Sequence, residues 1–186
     1  NDLGDGGLST QLTDFFNSFA NLQTDPADGS ARNLVLTKAN AVIRTLQRQR
    51  GSLLTQVHDL NVQVQSATRS ANSLAAEIAD LNGQIVAAGA GGRGGDSALR
   101  DRRDTLLRSL SELVDVQARE QSNGVVNVYV GSTPLVEFNR SRGLTTEIVN
   151  DAGVEQTQVR FTDNKAPATL RSEQLAALID ARDHQI

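Results

Sequence analysis

From Leu53 to Ile85 the apolar residues fall at Leu53, Val57, Leu60, Val64, Ala67, Ala71, Leu74, Ile78, Leu81 and Ile85, in steps alternating between four and three. That spacing is the seam of a helix that packs against another helix. Upstream, Val35, Ala39, Val42 and Leu46 carry the same spacing. The two runs join through one local step of eleven, with Gly51 where it falls; such a shift straightens a supercoil. No proline interrupts Ala31–Ala88, so one helix is expected over that range, roughly 85 Å long at 1.5 Å per residue. Everything else is expected to pack along this rod.

A short helix is expected before it, capped by Ser9 or Thr10 and running to about Gln23. Its apolar face is Leu8, Leu12, Phe15, Phe16, Phe19 and Leu22. With three of the five phenylalanines of the chain, it is expected to anchor the thickest part of the core. Asp25-Pro26 ends it, because the residue before a proline is pushed away from the α region. Asp28 or Ser30 then starts the long helix. Beyond that helix, Gly89–Gly95 has five glycines in seven positions, which reads as a helix–helix connection. Asp96 or Ser97 caps the next helix, to about Asp115, with Leu99, Leu106, Leu110 and Leu113 on one face. Arg103 falls on that seam. Either its stem packs while its head reaches water, or it pairs with a carboxylate such as Asp80; the first reading is preferred.

After Val116 the period becomes strand-like. Val126, Val128 and Val130 alternate with Asn127 and Tyr129. Val116–Gln121 pairs with them across Ser122–Gly124, where Asn-Gly favours a tight hairpin. Gly131–Pro134 turns into Leu135–Phe138. Thr145–Val149 and Gln156–Thr162 form a second hairpin around Asn150–Gly153, and Asp163–Thr169 is a polar linker containing Pro167. Helical spacing returns from Ser172, at Leu175, Leu178, Ile179, Arg182 and Ile186.

These elements give a mainly α fold with a small β part: an elongated antiparallel helical bundle built on one long helix, plus a small antiparallel β element. The expected division is a helical rod domain at 1–115, a β-rich element at 116–169 and the start of a returning helix at 170–186. The seam to be buried comprises Leu53, Val57, Leu60, Val64, Ala67, Ala71, Leu74, Ile78, Leu81, Ile85, Leu99, Leu106 and Leu110. β-Branched residues at one heptad position with Leu at the other would suit a parallel homodimer. Ala67 and Ala71 weaken that option, since alanine layers bury little apolar area, and a homodimer would leave the later helices uncovered. A monomer in dilute solution is therefore expected, with Leu74, Ile78 and Leu81 against Leu99, Leu106 and Leu110.

Chemistry is sparse. The chain has no cysteine, so disulfides and thiolate metal sites are excluded. His58 and His184 lack metal-ligand spacing, the carboxylates are scattered beside arginines as on solvated helix faces, and no catalytic signature occurs. No enzyme activity, cofactor or metal is expected. The glycine loop follows a helix and precedes no Gly-Lys-Ser/Thr, which argues against phosphate binding. Arg44, Arg48 and Arg50, then Arg100, Arg102, Arg103 and Arg108, leave a nucleic-acid-binding coiled coil as the alternative. The net charge of −4, the interleaved Asp101 and Asp104, and the lack of stacking aromatics oppose it. The Asn139-Arg140-Ser141 sequon matters only in a glycosylating pathway. No apolar run is long enough to span a membrane. Asn1–Gly7 is Gly/Asp-rich, is expected to be frayed, and has none of the regions of a signal peptide. Both ends read as cuts within a longer protein.

Several segments, in order, resemble the bacterial flagellar hook-associated protein 1 family. They are Leu8-Ser9-x-x-Leu12-x-Asp14-Phe15-Phe16-Asn17-Ser18-Phe19 with Leu22, Pro26, Arg32 and Val35; Ile78-Ala79-x-Leu81-Asn82-x-Gln84-Ile85; and Leu99-x-Asp101-x-Arg103-Asp104-x-Leu106-Leu107-x-x-Leu110-Ser111-x-Leu113-Val114-x-Val116. Val128–Val136, with Pro134-Leu135-Val136, and Glu173–Asp183, with Leu178, Arg182 and Asp183, are similar to a strand pair and a returning helix of that family. The family often has a glycine pair before that helix; Ser172-Glu173 stands here instead. The resemblance implies an extracellular structural subunit of the flagellum, an adapter at the hook–filament junction. It also implies export by the flagellar type III apparatus without a cleaved signal peptide, and an export chaperone for the full-length protein. The implied partners are other copies of the chain, the hook protein and the second hook-associated protein, with neither nucleic acid nor membrane. The terminal segments of that family are absent from this sequence.

Overall fold

The structure is a computed structural model that describes residues 7–90, 96–151, 154–170 and 173–184. Expectations for the first six residues, for 91–95 of the glycine loop, and for Ser172 and Ile186 fall outside them. The chain divides into two compact units, Asn1–Thr55 and Gln56–Ile186. The boundary lies inside the long helix.

In the first unit, α1 spans Leu8–Thr24 and α2 begins at Gly29, running on to Ala90. Both ends of the intervening link follow from the sequence. Thr24 is the last helical residue before Asp25-Pro26, and Asp28 Oδ1 accepts from Ser30 N–H at 2.8 Å, the bond of a helix N-cap. Two expectations fail here. Gly7, not Ser9 or Thr10, is the N-cap of α1, with no side-chain cap bond. Nor does α1 anchor a thick core. Phe16 is 64% exposed, and Leu12 and Phe19 are exposed with it. Phe15 packs its ring against Phe16 and Phe19, at 5.4 and 5.2 Å between ring centroids. The unit buries one narrow strip, Ser18, Val35, Val42 and Thr45, because two helices can cover only one face of each other. Lys38 and Asp14 tie them at 2.7 Å.

Gly51 sits in the helix interior, and a Cβ added there would meet nothing within 4 Å. Gly51→Ala should therefore raise stability by roughly 0.5–1 kcal/mol, through the backbone entropy that glycine loses on folding. Urea titration checks this; an unchanged or lower midpoint would contradict it.

The second unit places α3 (Ser97–Leu113), two small sheets and α4 (Gln174–His184) with the later part of α2. The first sheet has the order β1 (Val116–Glu120), β2 (Val126–Val130), β3 (Thr133–Glu137), β4 (Arg140–Ser141), all antiparallel. The second pairs β5 (Leu144–Asp151) with β6 (Val154–Phe161). Both hairpins read from the sequence are present; β4, two residues long, carried no periodic signal. At the first hairpin, Gly124 N–H bonds Gln121 O at 2.9 Å and Gly124 takes φ +81°. This is a three-residue loop closing on a left-handed glycine. Asp96, one of the two expected residues, is the N-cap of α3, but its side chain makes no capping bond; its carboxylate takes Arg100 Nε at 2.9 Å instead.

The core joins helices to strands. Val64, Ala71, Ala75 and Ile78 of α2 lie in one buried cluster with Leu110, Val128, Val130, Leu135, Val136, Phe161 and Leu175. Helix seams and alternating strand positions thus share one interior, on which Leu74, Leu106, Leu178 and Ile179 pack.

Candidate functional site

The seam read from the sequence is placed unevenly. Val57, Val64, Ala67, Ala71, Ile78, Leu81, Ile85 and Leu110 are buried; Leu60, Leu74, Leu99 and Leu106 are half-buried. Leu53 does not belong with them: it lies in the first unit and is 43% exposed. Ile78, Leu110, Leu74 and Leu106 meet in the core cluster, which does not take in Leu81 or Leu99. The buried face of α2 is also turned from the expected one. It runs Val57, Asn61, Val64, Thr68, Ala71, Ala75, Ile78, Asn82 and Ile85, so the flank holding Asn61 and Asn82 is buried more fully than that of Leu60 and Leu74.

The asparagines explain the turn. Asn82 Oδ1 accepts from Val126 N–H at 3.0 Å, while its Nδ2 donates to Val126 O and to Phe138 O, both at 2.8 Å. Asn72 does the same to Leu144, taking its N–H at 2.6 Å and giving to its carbonyl at 2.7 Å. Asn61 takes Thr157 N–H at 3.1 Å and gives to Glu155 O at 2.8 Å. A carboxamide presents the donor and acceptor of a peptide group, so each asparagine completes a strand edge whose backbone groups would otherwise be buried unpaired. Three side chains on one helix thereby fasten both sheets.

Two arginines lock the arrangement from the other helices. Arg103, on α3, is 3% exposed; its Nη1 donates to Gly124 O at 2.6 Å and, more weakly, to Asn82 Oδ1 at 3.4 Å. Asp104 and Glu120 carboxylates lie 3.7 Å from its guanidinium. The preferred sequence reading of Arg103 fails, and the other holds in part: carboxylates are within ion-pair distance, but those of Asp104 and Glu120. The head does not reach water, and Asp80 is not its partner but accepts from Gln84 instead. The carbonyl of a left-handed glycine was the nearest partner, and nothing in helix spacing could show that. Arg182, on α4, repeats the pattern with Asn61 Oδ1 at 3.0 Å and Thr157 O at 2.7 Å, its Nε held by Asp183 at 2.6 Å.

Gly124 is tightly specified. An added Cβ would strike the Arg100 guanidinium and would sit on a left-handed backbone. Gly124→Ala should cost roughly 1–2 kcal/mol from the backbone alone, read as a lower melting temperature; a melt like wild type would contradict the turn.

Ion pairs absorb most of the second arginine cluster. Arg100 binds Asp96 and Glu120 at 2.9 and 2.8 Å, and Arg102 lies 3.5 Å from Glu77. The hydrogen bond from Arg100 holds the Asp96 carboxyl below the usual carboxylate range, as that from Arg142 does for Asp163. Among the described residues no group of three or more His, Asp or Glu could hold a metal ion, and no helix is long and apolar enough to cross a membrane. His58 is exposed.

Exposed apolar side chains concentrate in the first unit. On α2, Leu36, Ile43, Leu46 and Leu53 are 61%, 49%, 47% and 43% exposed; Leu36 and Ile43 lie about a quarter turn from Val35 and Val42, while Leu46 and Leu53 continue the line of Val35 and Val42 into exposed positions. On α1, Leu12, Phe16 and Phe19 make an exposed stripe. From Gly29 to His58 the helix carries five cations, Arg32, Lys38, Arg44, Arg48 and Arg50, and no carboxylate.

The family described as the helical domain of the flagellar hook-associated protein FlgK matches residues 1–186. The chain belongs to that family. It is 28% identical over 161 residues to the flagellar hook-associated protein 1 of Escherichia coli K12, covering 86% of this chain and 29% of that protein. The protein of the same name from Salmonella typhimurium is 29% identical over the same length and shares. Among solved structures, the flagellar hook junction protein FlgK from Burkholderia pseudomallei superposes with a TM-score of 0.78 at 26% identity, over 96% of this chain and 33% of that one. The chain thus spans about 29% of the length of the curated relatives it matches.

Proposed function

We propose that the chain is the helical part of a flagellar axial subunit that serves as an adapter between hook and filament, and is not an enzyme. The observation that carries this reading is the family match over the whole chain. The exposed stripes on α1 and α2 support it. A stable isolated domain has no use for exposed apolar side chains concentrated on two helices, whereas an assembling subunit has. Partners follow from the same surface: other copies of the chain, the hook protein and the second hook-associated protein, with an export chaperone shielding the full-length protein. Export through the flagellar type III apparatus and a final extracellular place in the flagellum go with this role. In dilute solution the chain is expected to be monomeric.

The acid-free, cationic stretch of α2 favours one rival, binding of a polyanion such as nucleic acid. A gel shift that falls steeply with salt would support it. For the adapter, the decisive experiment deletes the gene and counts filaments by electron microscopy. Hooks without filaments, restored by the intact gene, are expected; full filaments on the hooks of deleted cells would refute the reading.

A further inference from the structure

The loop joining β3 to β4 has two residues, Phe138 and Asn139, since Glu137 pairs with Arg140. Phe138, at its first position, has φ +54°. That place in a two-residue hairpin favours glycine, and a bulky residue there is strained. The backbone is held in this state from two sides: Phe138 N–H donates to Asn127 Oδ1 at 2.9 Å, and Asn82 Nδ2 donates to Phe138 O at 2.8 Å. Yet the ring gains no burial from it, being 42% exposed. Beside it Arg140 is exposed and, among the described residues, has no ion-pair partner. A clamped, strained aromatic standing in water next to an unpaired guanidinium has the composition of an interface anchor.

A matching recess exists elsewhere on the same unit. Between α2 and α3 runs a groove of about 330 Å³, floored by Leu81 and lined by Ser73, Ala76, Glu77, Asp80 and Arg102. Small side chains leave room for a ring, and the carboxylates of Glu77 and Asp80 are exposed, the first 3.5 Å from Arg102 and the second accepting from Gln84, so that an incoming cation would share them with these two neighbours. Asp80 is two residues from Asn82, about 200° round the helix, so knob and groove lie on opposite flanks of α2.

We propose that copies of this chain associate head to tail, the Phe138 ring of one entering the α2–α3 groove of the next while its Arg140 meets Glu77 and Asp80. Two different patches make the contact, so it does not close on itself as a two-fold dimer; it propagates into a ring or a helical row. This deepens the adapter reading and rests on it.

Complementation tests it by sedimentation. Wild-type chain should show a mass that rises with concentration. Phe138→Gly removes the knob and relieves the strained φ, so it should melt no lower than wild type while staying monomeric. Ala76→Arg fills the groove from an exposed helix position and should also stay monomeric. Mixed one to one, the two variants keep one good knob and one good groove, and should form dimers and nothing larger. Arg140→Glu is a companion that leaves the loop intact: it should weaken association, and mixing it with Asp80→Arg should restore it. Wild type that stays monomeric at every concentration, variants that associate like wild type, or mixtures that remain monomeric would each overturn the proposal. Association that persists in both single variants would place self-contact on another surface, such as the α1 and α2 stripes, and would leave the adapter reading standing.

Discussion

Replacing Asn82 with leucine is expected to destabilise the second unit by about 3–5 kcal/mol, although the two side chains are close in size. The cost comes from what the substitution strands. Val126 loses the partners of its N–H and its carbonyl, Phe138 O loses one donor, and Arg103 loses an acceptor, all in or beside a buried site. Each buried group left unpaired costs roughly 1–3 kcal/mol, and leucine returns only apolar contact. Arg103 then keeps Gly124 O at 2.6 Å and two carboxylates at 3.7 Å, a poor setting for a buried cation. Arg103→Met removes that cation, so the double variant should be less destabilised than the sum of the two single ones. Urea unfolding of the four proteins gives the coupling. A single Asn82→Leu within about 0.5 kcal/mol of wild type, the range of ordinary surface substitutions, would show the clasp to be incidental.

The same residues show where sequence reading stops. Helix limits were legible because local chemistry sets them: Asp25-Pro26 ends α1, and Asp28 caps α2 through its own side chain. The first hairpin was legible because Asn123-Gly124 is turn chemistry. The face that α2 buries was not. Leu60 and Leu74 make a better apolar stripe than Asn61, Thr68 and Asn82, yet the polar set is the more buried, because strand edges from distant parts of the chain need carboxamide partners. Polar residues recurring at 61, 68 and 82, in register with the apolar seam, were the one available signal. Period also says which residues share a face but not whether anything covers it. Phe16 and Phe19 read as core for that reason, and stand exposed. Arg103 and Arg182 fell on apolar positions of their helices and are buried, but their acceptors are backbone carbonyls that no spacing rule could locate.

Ile78→Asp and Leu53→Asp make the sharpest comparison, because the heptad pattern treats the two positions as members of one seam. Ile78 is fully buried in the cluster shared by α2, α3 and the strands. Its replacement loses a large apolar side chain, a change that costs about 2–5 kcal/mol in a core, and adds a carboxyl without a partner. A total loss of about 5 kcal/mol or more is expected, enough to unfold a marginal unit. Leu53, 43% exposed in the first unit, should tolerate the same change within about 0.5 kcal/mol. The two costs also differ in their response to pH. Burial raises the pKa of an unpaired carboxyl above its unfolded value near 3.9. The folded Ile78→Asp variant therefore binds its proton more tightly than the unfolded chain does. Its deficit should be smallest below about pH 4 and should widen as pH rises through the raised folded pKa, by the sign of proton linkage. Ile78→Asn, which carries the polarity without the charge, should show a deficit that does not widen in that way. Thermal melts of the three variants at pH 4 and 7 read all of this. An Ile78→Asp chain that melts beside wild type at neutral pH would overturn the packing of α2 against the strands, and a Leu53→Asp chain that collapses would overturn the exposure of the α2 stripe.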